Sequence, residues 1–456
     1  MRFQKTVEKL SEQPLSSINQ ACGSWADTKG AYRMFDNNKV ETHEILAPHQ
    51  LKTRERIGDQ SRILVIQDTS FINYTEHFKT KGLGPIGHVN KKKATKADSQ
   101  GLIMHTALAV STQGLPLGIL DQEIWSREDE EQRPHWRKKA CRKRVPAERK
   151  ESYKWLRALM RTTPLIPPGV QAVTVCDRES DMYELIAKAE ALKTHYLIRS
   201  SWDRAIQAEH EDYYLWDYMA ELPVAGTFEI EAEAKRVAKQ KVAEKRMAKL
   251  EVRFACVELR RNPKKKMDRA ECLAFMPSYV VWVKELKPPQ GIEPLEWMLL
   301  TNVPVKSFED AVERVNWYKL RWHIENFHKV LKSGCNIELC RLETAERLER
   351  YVTLFSIIAW RLYWLTHISR ASPDASCAMV LADHEWKALY CKMKKTRALP
   401  SKPPTIREAI RWIASLGGFL GRKGDGEPGI TTTWRGWQRL LDISEAWLVF
   451  NSSRCG

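Results

Sequence analysis

Residues Trp317 to Ser333 read WYKLRWHIENFHKVLKS, and no other stretch restricts the fold of this chain so tightly. At about 100° of helical rotation per residue, Tyr318, Arg321, Glu325 and Lys332 fall within about 60° of one another. Trp317, Leu320, Ile324, Phe327 and Leu331 cluster on a separate face roughly 110° away. The spacing predicts one helix that packs its apolar side and presents an aromatic, a guanidinium, a carboxylate and an ammonium along the other. Two cations and a ring suit a phosphate backbone and its bases. Lys329, almost in line with them on the wheel, is a further phosphate candidate. A lone acid among cations repels phosphate unless a divalent cation stands between them, which marks Glu325 as a candidate metal ligand. Taken alone, such a stripe also describes a solvated helix face.

Two aspartates narrow the choice. Asp68 follows the β-branched run of ILVIQDTS, and Asp177 ends the apolar run of AVTVCDRESD. Both runs read as buried strands, and a carboxylate just past such a strand lies at the mouth of a sheet, where open α/β folds place their sites. Each alone is also what a turn former or helix cap looks like. Together with Glu325 they make three hard oxygen ligands, a set suited to magnesium or manganese. His323 and His328 read as helix-surface residues rather than ligands, because hard cations prefer oxygen.

A length of 456 residues suggests about three domains. A formal charge of +17 fits a polyanionic partner. None of the ten cysteines forms a C-x-x-C pair, so neither a zinc site nor a disulfide scaffold is expected. The start lacks the apolar core of a signal peptide, and the longest apolar run, near Leu354 to Trp360, is too short to span a bilayer. The expected compartment is a reducing cytoplasm.

Residues 1–58 read as short helices with Ser16 or Ser17 and Thr42 as caps. Strands are expected at Ile63 to Gln67, Leu102 to Val110, Leu117 to Ile124 and Ala172 to Cys176, with a helix around Ser152 to Met160. The basic segment RPHWRKKACRKRVPAERK (133–150) suits a solvated loop or a DNA-facing one. That pattern over 59–200 is compatible with an α/β, RNase H-like mixed sheet and with other α/β folds. From 201 to 300 the chain becomes β-rich. The lysine- and alanine-rich Ala232 to Glu251 is compatible with a helix or a basic flap, and β-like runs follow at Val252 to Leu259, Cys272 to Val283 and Trp297 to Leu300. Residues 301–370 carry the helix described above. Residues 371–456 read as a small helical tail broken by PSKPP and GRKGDGEPG.

The motifs resemble those of the DDE transposases of the IS-four group, to which the transposase of transposon five belongs. The third acid of that family sits in Tyr-x2-Arg-x3-Glu-x6-Lys, matched by Tyr318, Arg321, Glu325 and Lys332. The second opens Asp-Arg-Glu-x-Asp, matched by Asp177 to Asp181, and the first sits in Asp-Thr-Thr/Ser, matched by Asp68 to Ser70. GAYRMFDN (Gly30 to Asn37), ESYKW (Glu151 to Trp155), LEWMLLTN (Leu295 to Asn302) and LGGF (Leu416 to Phe419) extend the likeness over nearly the whole chain. The resemblance implies an RNase H-like core split by a β-rich insertion, a helical N-terminal DNA-binding region and a dimerising C-terminal tail. Family members usually carry a further helical stretch ahead of this N-terminal region, so here it is expected to be short or truncated.

The implied activity is cleavage at transposon inverted-repeat ends and strand transfer into target DNA, catalysed with two Mg2+ or Mn2+ ions by Asp68, Asp177 and Glu325. Asp68 would bridge both ions. The partners implied are DNA and a second copy of the chain. By resemblance alone, Arg199 matches a DNA-contacting arginine, and Trp297 matches a tryptophan that fills the space of a flipped base. A buried strand tryptophan is the plainer reading of Trp297. A catalytically inert DNA-binding relic and an unrelated metal-dependent nuclease are the competing functions.

Overall fold

Ser17 starts a helix through a reciprocal pair of bonds: it accepts from the Gln20 N–H, and the Gln20 side chain accepts from the Ser17 N–H. The computed structural model to which this belongs describes residues 2–13, 16–86, 99–127, 150–209, 211–232, 236–237, 240–241, 246–261 and 274–452. Its N-terminal helices are α1 (Arg2–Glu12), α2 (Ile18–Cys22), α3 (Trp25–Asp36) and α4 (Thr42–Gly58). Thr42 is the first helical residue of α4 rather than its cap. Glu44 accepts from the Glu41 N–H (3.2 Å) and moves the start one residue earlier.

The core follows as β1 (Arg62–Asn73), β2 (Gly84–Pro85), β3 (Gln100–Ser111), β4 (Pro116–Trp125), α5 (Lys154–Thr162), β5 (Gln171–Cys176), α6 (Tyr183–Ala191) and β6 (His195–Arg199). The four expected strands are all there. β4, β3 and β1 pair antiparallel, whereas β1, β5 and β6 run parallel, giving the order β4-β3-β1-β5-β6. This is the RNase H-like arrangement. Most of the basic segment at 133–150 lies outside the described residues.

The β-rich segment contributes β7 (Ala205–Ala208), β8 (Glu211–Tyr214), α7 (Leu215–Glu221), β9 (Gly226–Ala232), β10 (Arg236–Val237), β11 (Gln240–Lys241), β12 (Arg246–Arg260), β13 (Phe275–Glu285) and β14 (Glu296–Thr301). It does not form a sheet of its own apart from the small β10–β11 ribbon. β14 pairs with β6, and the order continues through β13 and β12, so the core sheet grows to twelve strands. The described part of Ala232 to Glu251 is strand, not helix. Met247 and Lys249 face out of β12 while Ala248 and Leu250 are buried, and this period of two overrides the helix propensity of lysine and alanine.

Helices α8 (Phe308–Lys319), α9 (Trp322–Lys329) and α10 (Ala345–Ala371) cover one sheet face, and α5, α6 and α7 the other. Strand alternation assigns each residue its face: Tyr196 and Ile198 pack with α5 and α6, and Leu197 between them packs with α10. The tail is α11 (Asp383–Lys394), α12 (Ile406–Leu416) and α13 (Ile430–Ser452), with PSKPP and the Gly-rich run between helices. It packs against α10 rather than standing apart. A Cβ on Gly436 would lie 1.6 Å from the Ile413 carbonyl, and one on Gly417 1.9 Å from that of Thr432. Glycine is what lets α12 and α13 touch backbone to backbone, which accounts physically for Gly417 in the LGGF run.

Candidate active site

Period two and register bring the two aspartates together. Leu64 and Ile66 face the α9–α10 layer, so Asp68, two residues on, shares that face. Val173 and Val175 face it as well, which puts Asp177 there in turn. The parallel register ends with Ile66 beside Val175, and two further residues along lie Asp68 and Asp177. Asp68 does not end its strand. β1 runs on to Asn73 because β3 continues the antiparallel ladder, Asp68 lying opposite Thr106. What ends at this level is β5, and the gap it leaves is the mouth of the sheet. Asp177 also serves the plainer role, capping the 3₁₀ turn Arg178–Ser180 by accepting from the Glu179 N–H (2.9 Å).

Helix α9, which lies over this face, carries Glu325. The Asp68 carboxyl is pushed up to about 7, first by burial, with the negative charges of Asp177 and Glu325 adding to it and Arg321 opposing. Asp68 therefore feels the charge of both other acids. Arg321 lies against Glu325, Nη2 to Oε1 2.5 Å. Among the described residues, no three His, Cys, Asp or Glu side chains are grouped to hold an ion as they stand. Hard cations such as magnesium are commonly held by one or two carboxylates, with water and substrate phosphate completing the shell. Three half-buried oxygen donors, two of them raising the carboxyl pKa of the third, fit that pattern.

The single helix expected from Trp317 to Ser333 is three pieces. Between α8 and α9 the chain tightens, Arg321 N–H bonding to Tyr318 O (3.0 Å) and His323 N–H to Leu320 O (2.9 Å). After α9, Val330–Gly334 widens into a π-helical turn. Each change shifts the wheel. Tyr318 consequently lies inside, only 4% exposed, edge-on to Trp297 at 5.2 Å, rather than on the polar face. Arg321, which caps the start of α9, and Glu325, one turn on, do stay together.

The other predicted side chains are spread around this centre. Arg199 is half-buried beside Tyr318 and donates to the Glu296 carbonyl (2.7 Å); burial lowers its pKa. Trp297 is half-buried in β14. Lys332 reaches back to donate to the Phe71 carbonyl, and burial lowers its pKa too. Lys329 is exposed. Neither histidine is a surface residue. His328 is buried, and His323 is bonded through Nδ1 to the Tyr363 hydroxyl (2.7 Å). One exposed ring at the site had not been singled out: Trp322, half exposed, with Arg321 5.7 Å from its centroid. An even step of about 100° also sets Trp322 opposite the apolar face, so its exposure was readable from the sequence.

Three family models match the chain. Residues 65–361 match the family described as transposase DDE domain, residues 1–40 transposase DNA-binding, and residues 357–452 transposase Tn5 dimerisation domain. The first covers well over half the sequence. The chain belongs to the DDE transposases. It is thus a metal-dependent enzyme of DNA phosphoryl transfer that cleaves and joins DNA strands by the DDE mechanism, with DNA-binding and dimerisation regions at its two ends. Among the described residues, no helix of this transposase is long and apolar enough to cross a membrane.

Proposed function

We propose that Asp68, Asp177 and Glu325 are the catalytic carboxylates of this transposase, holding two magnesium or manganese ions, and that its substrates are its own inverted-repeat ends and target DNA. The observation that carries this is the shared face: two carboxylates at the same register level, under the helix that bears the third. When bound, such ions supply an activated water or 3′-hydroxyl and offset charge on the leaving oxygen. Asp68, coupled to both other acids, is the residue placed to be shared. Arg321, held by Glu325, orients that carboxylate and is available to a phosphate. A reducing cytoplasm is the compartment we assign, consistent with described cysteines that are all unpaired.

Arg321, Lys329 and Lys332 are proposed as phosphate contacts. Replacing any one with Ala is expected to flatten the log–log salt dependence of DNA binding by about 0.9 for each lost duplex contact. An unchanged slope with intact cleavage would remove that residue from the list. Tyr318 and Trp297 are proposed to act from behind, packing against each other and holding Arg199 toward bound DNA. Trp297→Ala is then expected to cost about 2 kcal/mol of stability and to slow nicking and hairpin formation together. Unchanged melting with selective loss of the hairpin product would instead put the ring in the space of a flipped base.

A further inference from the structure

Past Asp177 the chain turns through Arg178–Ser180 to Asp181, whose side chain is 0% exposed. A carboxylate removed from water needs donors on both oxygens. Asp181 finds them in the loop that follows β6. Its Oδ2 accepts from Ser200 Oγ (3.2 Å), the Ser201 N–H (2.7 Å) and the Trp202 N–H (3.1 Å), and its Oδ1 pairs with the Arg204 guanidinium. The rest of the loop is tied as well. Ser201 Oγ donates to the Arg178 carbonyl (3.2 Å), and Asp203 accepts from the Trp216 N–H (3.1 Å) at the start of α7. The loop after β6 is thereby fixed to the loop that carries Asp177, at the same edge of the sheet.

One side chain on it has no such tie. The Trp202 indole is 67% exposed and makes no hydrogen bond or ring contact among the described residues. We propose that Trp202 stacks on a DNA base beside the catalytic centre and that Asp181 is its positioning residue. A ring on an immobilised loop loses little further freedom on binding. Exposed Arg178 on the facing loop, with Arg199 at the foot of β6, supplies the positive charge that brings a strand to it. This inference rests on placing the centre at Asp68, Asp177 and Glu325.

Two substrates tell apart the possible sources of the base. One is a labelled duplex of the element's terminal sequence, for binding and nicking; the other is the same end already nicked, with a target plasmid, for strand transfer. Trp202→Ala should lower one of these by about fivefold or more with no change in melting temperature, and Trp202→Tyr should restore most of the loss. Asp181→Asn should weaken the same reaction, and adding it to Trp202→Ala should cost nothing more. Wild-type behaviour of Trp202→Ala in both assays would overturn the proposal. So would a tyrosine no better than alanine, or losses that multiply in the double variant. Asp177→Asn, assayed alongside, separates the two levels. If it still nicks, the centre is misplaced; if it is dead while Trp202→Ala is normal, only the stacking role fails.

Discussion

Asp68→Asn, Asp177→Asn and Glu325→Gln are each expected to lower strand cleavage by about a thousandfold or more, with the fold left intact. Loss of one ligand disables a shared site, and several kcal/mol of charge stabilisation correspond to that factor. Combining two of the substitutions should therefore add little to either alone. Melting should be unchanged or slightly higher for Asp68→Asn, because burial and the charges of Asp177 and Glu325 already disfavour its carboxylate. End cleavage with magnesium, beside thermal unfolding of each variant, checks both parts. A variant that keeps near-normal cleavage removes its residue from the centre.

Acidification should produce the second large effect, this time on stability. Burial drives His49, His328 and His367 down to about 3 and His323 to about 4, and it puts His105 well below its usual value. A histidine of this kind stays neutral in the fold while the unfolded chain takes up a proton. Its stabilisation is complete above about pH 6.5 and is lost as the pH falls toward the folded value. Three largely buried acids act in the opposite sense. Burial raises Asp68 and Glu349 to about 7 and Asp121 to about 6, so all accept protons in the fold before the unfolded chain does. The histidines still outweigh the acids. Stability should fall by on the order of 5 kcal/mol between pH 6.5 and 4.5. Urea unfolding across that range measures it, and a flat or rising stability would show that these histidines are not held neutral.

Much of the core was legible because its strands are long apolar runs bounded by polar residues. Ile63 to Gln67 and Ala172 to Cys176 needed no partner to be recognised, and the alternation within them already carried the face on which Asp68 and Asp177 lie. The extension of β1 to Asn73 was not legible, since it depends on pairing with β3, a contact across the sequence. Of the two readings of Ala232 to Glu251, the helix fails in the same way over the described residues: a local propensity gave way to a sheet face that buries Ala248 and Leu250. The stretch from Trp317 to Ser333 shows the limit most sharply. Its acid and arginine remained together because they lie within one turn. Tyr318 lies ahead of the tightened turn and Lys332 within the π-helical one, and an even rotation cannot follow either. Trp322, by contrast, was legible: an even step sets it opposite the apolar face, and it sets His323 and His328 on the flanks of that face, beside Phe327 and Trp317. Asp181 gave no signal of its role, because its partners lie after the next strand.

Binding of manganese to the DNA-bound transposase, counted by electron paramagnetic resonance, tests the central claim most directly. The wild type should take up two ions per catalytic centre. Asp68→Asn should lose tight binding of both, and Asp177→Asn and Glu325→Gln should each lose one. Identical manganese titrations for the wild type and all three variants would contradict the assignment of these carboxylates as the metal ligands.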